Sequence, residues 1–367
     1  MSFEQPIFVL LHLAGFAFAM SLAVSGFMIA AGVLDAPVSR SSHTSPVPTG
    51  AGLGLVAGLG AGLLGLSMFY PHLGDQAIMG QMAALALGVS LLGLVDDVHE
   101  VPPKIKFLFM LILSCACVSV SGPPPTLPLA VMEVDLPVWI GALGAVLWIF
   151  VVMNTVNFMD GANGLMGMVM CIAFITLAVI SIGAQAVTPA VLSLVMAASL
   201  MGFLPYNARK KALIFSGDVG ALLCGFMFAA CTLLLVTQKP KFGLLYVGPL
   251  LILPFLTDVL LTLLIRAYRK ESLFVAHNRH MYQRLMKAGH SHVSVTALYA
   301  VAGMLMSMLT LASVWFGAVR SIFFFAIWVS ILSIIYLTLH KNLGHKNPGH
   351  KNLGTSEPDQ PHIKPDP

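Results

Sequence analysis

Residues Asn154, Asn157, Asp160, Gly161, Asn163 and Gly164 form a polar knot between two long apolar runs, Val138 to Met153 and Leu165 to Ile182. Amides and carboxylates are costly at membrane depth unless they face a cavity or a site. The glycines allow a backbone to approach a ligand closely. A bare helix-connecting turn needs one Gly or Asn, not this density of hydrogen-bonding groups.

Four other stretches carry similar chemistry. Asp96 and Asp97 are adjacent carboxylates at the end of an apolar run. Such a pair repels itself unless a cation or a proton separates the charge, which points to a divalent metal, a general base, or both. Lys104 and Lys106 follow, within reach of a phosphate, and Lys104 is carried forward as the binding candidate. Asp218 lies between Gly217 and Gly220 at the start of another apolar run, as a helix N-cap or as a metal or phosphate-site residue. Phe215, three residues earlier, can stack on a base. The stretch from His277 to Leu285 holds His277, Arg279 and His280. At a spacing of three, the two histidines share a face if the stretch is helical. With Arg279 they make a pyrophosphate cradle, or, as the alternative, part of a metal site lacking an evident third ligand. Arg40 and His43 sit in a Pro- and Ser-rich segment, where they either hold an anion or simply mark the side of the membrane.

Composition says what must position these groups. The 367 residues are 58% hydrophobic and 9% charged, with a mean hydropathy of +0.90. That excludes a soluble domain and predicts an all-α polytopic membrane protein. A bilayer span takes about 20 apolar residues. Eleven candidates centre near residues 20, 61, 86, 113, 146, 174, 197, 228, 254, 306 and 330, so 10–11 transmembrane helices are expected. The first lacks a basic region ahead of it and reads as a retained span, not a signal peptide. The Gly- and Ala-rich second span suits close helix packing.

Sixteen of the 19 Lys and Arg residues fall after odd-numbered spans or in the tail. The exceptions are Lys239, Lys241 and Arg320. The positive-inside rule then puts the N-terminus outside, the C-terminus in the cytoplasm, and every polar stretch above on the cytoplasmic face. The net charge of +4 is loop topology and calls for no nucleic acid. The five cysteines lie inside predicted spans and read as small buried core residues. Residues 1–340 form the membrane domain. The remainder, 341–367, continues a five-residue repeat (His340 to Gly344 and two further copies) into a Pro-rich end, and is expected to be disordered. Carboxylates, amides and basic groups from five loops on one face suit metal-assisted transfer of an anionic group.

The motifs resemble those of the polyprenyl-phosphate N-acetylhexosamine-1-phosphate transferases, of glycosyltransferase family 4 type. Asp96-Asp97 is similar to the family's paired aspartates. Asn154, Asn157, Asp160-Gly161 and Gly164-Leu165 resemble its N-x-x-N-x-x-D-G-x-x-G-L motif, and Phe215 to Gly220 its F-x-G-D-x-G loop. His277, His280, Tyr282-Gln283 and Arg284-Leu285 are similar to the H-R-x-H-x-Y-Q-R-L pattern of the branch that starts O-antigen and other surface glycans. Asn163, Thr49 and Asn278 stand where the patterns have Asp, Arg and Arg.

The resemblance implies transfer of a sugar-1-phosphate from a UDP-N-acetylhexosamine to undecaprenyl or another polyprenyl phosphate, releasing UMP, in the bacterial inner membrane. It implies Mg²⁺, or Mn²⁺ in its place, on Asp218 with Asp97. Asp96 is then the candidate base, and Asp97 holds the lipid phosphate together with lysine or assists the metal. Phe215 stacks on uracil. Asn157, Asp160 and Asn163 line the nucleotide pocket, with Asn154 in support, and His280 with Arg279 and His277 takes the pyrophosphate. A homodimer is compatible with this reading. A membrane transporter and a catalytically silent homologue are the competing classes.

Overall fold

The computed structural model describes residues 4–32, 34, 35, 47, 48, 50–129, 132–240, 243–273, 275 and 277–345. Arg40, His43, Thr49 and residues 346–367 lie outside the described residues.

The chain is a bundle of long apolar helices. In order these are α1 (Glu4–Ala31), α2 (Gly52–Phe69), α3 (Gln76–His99), α4 (Pro103–Ser121), α5 (Val138–Phe158), α6 (Leu165–Gly183), α7 (Val187–Asn207) and α8 (Gly217–Gln238). Then come α9 (Val247–Leu251), α10 (Leu253–Tyr268), α11 (Met281–Lys287), α12 (His292–Trp315) and α13 (Ile322–His345). Ten of the described helices are long and apolar enough to cross a bilayer. The segments Leu244–Leu251 and Leu253–Tyr268, bent by 73° to each other, bring the number to eleven when taken together as one span. Pro254 at the start of α10 suits that break, because proline cannot donate back into the preceding turn. The only described strands are two short antiparallel pairs, β1 (Leu34–Asp35) with β2 (Val47–Pro48) and β3 (Thr126–Leu129) with β4 (Met132–Asp135).

Lipid tails are as apolar as leucine, so close packing and interhelical hydrogen bonds hold such a bundle. Helix α2 packs against α1, α7 and α8 through its buried Gly52, Gly54, Gly58, Gly62 and Gly65. Ser21 Oγ of α1 donates to the Ser199 carbonyl of α7 at 2.7 Å. Helix α8 is the hub: its apolar window is wholly buried, whereas that of α13 is 6% buried. Large apolar side chains such as Leu64, Leu87, Leu143 and Ile334 face outward, as a lipid-facing surface requires. Trp139 and Trp315 end their helices at one extremity and Tyr268 at the other, all strongly exposed, in keeping with interfacial aromatic belts.

Successive spans run up and down, so the loops after odd-numbered spans meet at one end. There Ala51 N–H donates to the Phe215 carbonyl at 3.2 Å, and Gly52 N–H to that of Ser216 at 3.0 Å. Gly164 N–H donates to Asn207 Oδ1 at 2.8 Å, and Thr296 Oγ1 to the Asn163 carbonyl at 2.7 Å. At the other end, Tyr246 Oη donates to the Pro128 carbonyl in β3 at 2.7 Å.

Two expectations are adjusted. Cys115 is exposed, while Cys117, Cys171, Cys224 and Cys231 are buried; all five are free thiols. Helix α13 continues through His345, so the first unit of the repeat, His340 to Gly344, is helical.

Candidate active site

Helix α3 ends with Asp96 and Asp97, and α8 begins at the same level. They can meet there because Gly93 has no side chain: a Cβ at that position would lie 2.6 Å from the Val219 nitrogen. Asp97 then caps α8 from outside it, accepting from Asp218 N–H at 2.9 Å and Val219 N–H at 3.4 Å. A carboxylate facing free amides at a helix N-terminus is favourable on both hydrogen-bonding and dipole grounds. Asp218 is therefore a first-turn residue of α8, and Ser216 is the residue at the cap position.

The cation of this cluster is Lys106. Its Nζ donates to Asp96 Oδ2 at 2.6 Å and to Asp218 Oδ2. With its amide oriented to suit its neighbours, Asn157 accepts from Lys106 Nζ at 3.0 Å and donates to Asp218 Oδ1 at 2.9 Å. The three N–H bonds of the ammonium thus each have an oxygen. Lys104, the candidate carried from the sequence, is exposed outside the cluster. Two residues along a helix is a turn of about 200°, so only one of the two lysines can face α3 and α8. The lysine pairs with Asp96 and Asp218, while Asp97 lies on the α8 amides.

The knot joins this acidic side to a histidine side. Asp160 accepts from Ser216 Oγ. Burial pushes its carboxyl up to about 8; the Ser216 bond opposes this, and the charges of Asp218 and Asp97 add to it. Gly161 lies under Tyr282, whose hydroxyl occupies the place a Cβ would take. That hydroxyl donates to the Phe158 carbonyl at 3.1 Å, and the Phe158 ring stacks on His280 at 5.7 Å.

Two members of the knot serve elsewhere. Asn154 donates to the Phe150 carbonyl of its own helix at 2.8 Å. Asn163, expected in the nucleotide pocket, is 7% exposed, and its Nδ2 donates to the carbonyls of Arg209 and Lys210 at 2.8 and 3.2 Å. A carboxylate cannot make those two bonds, which accounts for an amide where the pattern has Asp. Phe215 is half-buried at the head of α8.

His277 and His280 do not share a helix face, because α11 begins only at Met281. Their rings nevertheless lie 4.8 Å apart. His280 is buried, whereas burial first, and then the electrostatic influence of His280, Arg266 and Arg279, lowers His277 to about 4. At neutral pH His277 therefore offers a neutral ring. Arg279 is half-exposed and turns to Glu271.

Asp258, which the sequence left without a role, anchors this side. Its carboxyl accepts from Met281 N–H at 2.7 Å, Tyr282 N–H at 3.2 Å and Tyr299 Oη at 2.6 Å. It thus caps the short α11 from within α10 and fixes His280 one residue ahead. The available signal was an intramembrane acid, which by default marks a specific partner.

Among the described residues no cluster of three or more His, Cys, Asp and Glu is arranged to hold a metal. Magnesium, however, is commonly bound by one or two carboxylates plus substrate phosphates. The carboxylate oxygens of Asp96 and Asp218, both on Lys106, with Asp97 beside them on the α8 amides, fit that mode.

Known proteins resemble the chain over the same region. Residues 79–236 match the pattern of "Glycosyl transferase family 4", a stretch that contains the paired aspartates, Lys106, the knot and Asp218. A probable undecaprenyl-phosphate N-acetylglucosaminyl 1-phosphate transferase of Bacillus subtilis is 30% identical over 283 residues, covering 76% of each chain. A decaprenyl-phosphate N-acetylglucosaminephosphotransferase of Mycobacterium tuberculosis is 29% identical over 320 residues, covering 80% of this chain and 76% of its own. An undecaprenyl-phosphate alpha-N-acetylglucosaminyl 1-phosphate transferase of Yersinia pestis is 24% identical over 310 residues, covering 82% of each. With the motifs in place around α3, α4, α5 and α8, the chain belongs to glycosyl transferase family 4, among the polyprenyl-phosphate N-acetylhexosamine-1-phosphate transferases.

Proposed function

We propose that the protein transfers an N-acetylhexosamine-1-phosphate from a UDP-sugar to undecaprenyl or another polyprenyl phosphate, on the cytoplasmic face of a bacterial inner membrane. The observation that carries this reading is the Lys106 ammonium gripped by Asp96, Asp218 and Asn157 at the head of the buried α8. In the reaction an oxygen of the lipid phosphate attacks the sugar-bearing phosphorus of the donor. The bond from that phosphorus to the bridging oxygen breaks, and UMP leaves with the oxygen.

Lys106 gives the incoming phosphate a positive partner beside two acids. Asp96 accepts the proton of whatever fraction of the lipid phosphate is still protonated; a phosphate monoester has a second pKa near 6, so that fraction is small at neutral pH. Asp160, proton-bearing below pH 8, can donate to a uracil oxygen, with Phe215 stacked on the base. His280, held by Asp258, faces the pyrophosphate with His277. Asp218 with Asp97 would hold Mg²⁺ or Mn²⁺, which when bound neutralises pyrophosphate charge.

The prenyl chain belongs in the apolar groove between α2 and α3. This groove has a volume of about 390 Å³ and is lined by Val56, Leu59, Leu63, Met79, Ala83 and Leu87, among others, with Gly60 and Gly80 leaving it open. Val56 lies one helical turn from Gly52, whose backbone touches Ser216, so the groove approaches the acids from the bilayer side. The 277–285 pattern supports the branch that begins O-antigen or other surface glycans. The 73° bend between α9 and α10 is a feature transporters share, but the Asp258 carboxyl beside it is engaged by α11 and Tyr299.

The test is UMP release from a panel of UDP-N-acetylhexosamines with polyprenyl phosphate and Mg²⁺, with Asp218→Asn as the control. Lipid-dependent UMP from one sugar, lost in the variant and without metal, is expected. No UMP from any sugar with folded protein would overturn the reading.

A further inference from the structure

Basic side chains crowd a second place, on the flank of the bundle. The end of α10, the C-terminal half of α13 and Arg279 enclose a small cleft. It is lined by Thr262, Arg266, Arg269, Arg279, Tyr336 and His340, with a volume of about 20 Å³, room for one water-sized atom. Arg284 stands behind it, donating to the His340 carbonyl at 3.0 Å. Against these four arginines, Glu271 is the carboxylate the structure pairs with them, and it takes both Arg266 Nε at 3.4 Å and Arg279. Arg266 is 4% exposed. Its Nη2 donates to the Ser272 carbonyl and, at 3.2 Å, to that of Val275. Among the described residues its Nη1 has no partner.

A buried guanidinium with two unused N–H bonds is costly unless something polar meets it. One glutamate against four arginines leaves the cleft positively charged. The opening admits an oxygen atom while the group bearing it stays outside. Arginine forks match phosphate oxygens in particular. The surroundings name the source. Helix α13 is the least buried span, and Tyr268, at the end of α10, is 90% exposed where an interfacial aromatic sits. The anion at that depth and on that flank is a lipid phosphodiester.

We propose that the cleft between α10 and α13 binds a phosphate oxyanion, carried by the headgroup of an anionic phospholipid. The site does not depend on the transferase reading. It bears on the reaction all the same, because Arg266 holds the backbone segment that leads into His277 and His280.

The test uses native mass spectrometry of the full chain in detergent, with equimolar phosphatidylglycerol and phosphatidylcholine. Thermal unfolding is read in parallel with either phosphatidylglycerol or inorganic phosphate. The expected result is preferential retention of one phosphatidylglycerol per chain. Arg269→Gln and His340→Gln, at the rim and outside the catalytic machinery, should each cut that retention roughly tenfold, the size of one lost charged hydrogen bond. Arg266→Lys should cut it further; if that variant misfolds, the rim variants carry the test alone. Stabilisation by inorganic phosphate but not by phosphatidylglycerol, abolished by the rim variants, would keep the oxyanion site and replace the lipid by a soluble anion. Equal retention of both lipids with no response to phosphate, or retention indifferent to the rim variants, would overturn it.

Discussion

Asp258→Ala is the sharpest perturbation of the histidine side. The carboxyl takes four buried donors: two amides at the start of α11, the Tyr299 hydroxyl and, at 3.3 Å, the Thr262 hydroxyl. Alanine leaves the two amides and the Tyr299 hydroxyl without an acceptor, while Thr262 keeps Tyr336 Oη at 2.8 Å; each orphaned donor costs about 1–3 kcal/mol. With partial relaxation the expected loss is about 3–5 kcal/mol, within the range for breaking a buried polar network. Asp258→Asn keeps one acceptor for Met281 N–H and can donate to Tyr299 Oη, so about 1–2 kcal/mol is expected. Chemical unfolding in detergent reads the stability, and UMP release at saturating substrates reads the position of His280. The Asn variant should fold and lose most of its turnover, with a smaller change in the KM for polyprenyl phosphate. An Ala variant as stable as the parent, or an Asn variant with parental turnover, would refute the idea that this acid positions α11 and His280.

Lys106→Gln removes the charge between Asp96 and Asp218. Two carboxylates left side by side repel unless a cation or a proton comes between them, so the variant should lose transfer activity and gain more thermal stability from added Mg²⁺ than the parent; equal metal response in both would contradict this. Gly60→Leu and Gly80→Leu fill open space in the groove; the KM for the polyprenyl substrate should rise several-fold while that for the UDP-sugar stays unchanged. Asp160 is raised from 3.8 to about 8, so it carries its proton at neutral pH. Its contribution to stability is present below the unfolded value and is lost as pH rises through 8. The donor KM should climb above pH 8 in the parent and stay flat in Asp160→Asn. Gly161→Ala puts a methyl group into the Tyr282 hydroxyl and should cost about 1–3 kcal/mol, read as a fall in the unfolding midpoint.

The sequence carried the spans well because each needs only a run of apolar residues, and even the bent α9–α10 pair appeared as one candidate near residue 254. Asp96, Asp97, Asn157 and Asp218 could be named because the motifs mark them and the sidedness of the loops unites them. Lys106 could not be separated from Lys104 without the rotation of α4, which its contacts to α3 and α8 define. Asn154 and Asn163 share the knot's composition, yet one bonds its own helix and the other a neighbouring loop; type and spacing do not encode that choice. Asp258 was visible as an anomaly, but the α11 amides and the Tyr299 hydroxyl that give it its role lie 23 to 41 residues away. His277 and His280 come together through a loop and not through helical periodicity, so the spacing argument reached a true proximity by the wrong geometry.

The wholly buried α8 and the nearly bare α13 set opposite ends of a gradient in local stability. Opening free energy rises with buried contact, so amides of α8 should exchange with solvent only on global unfolding. Residues 277–280, held from one side through Asp258 and α11, should open far sooner. The acids would then be a fixed anvil, preassembled before any ligand arrives, and the histidine wall the part that breathes. Entry and release would be timed by that wall, and warming should silence turnover well before the bundle melts.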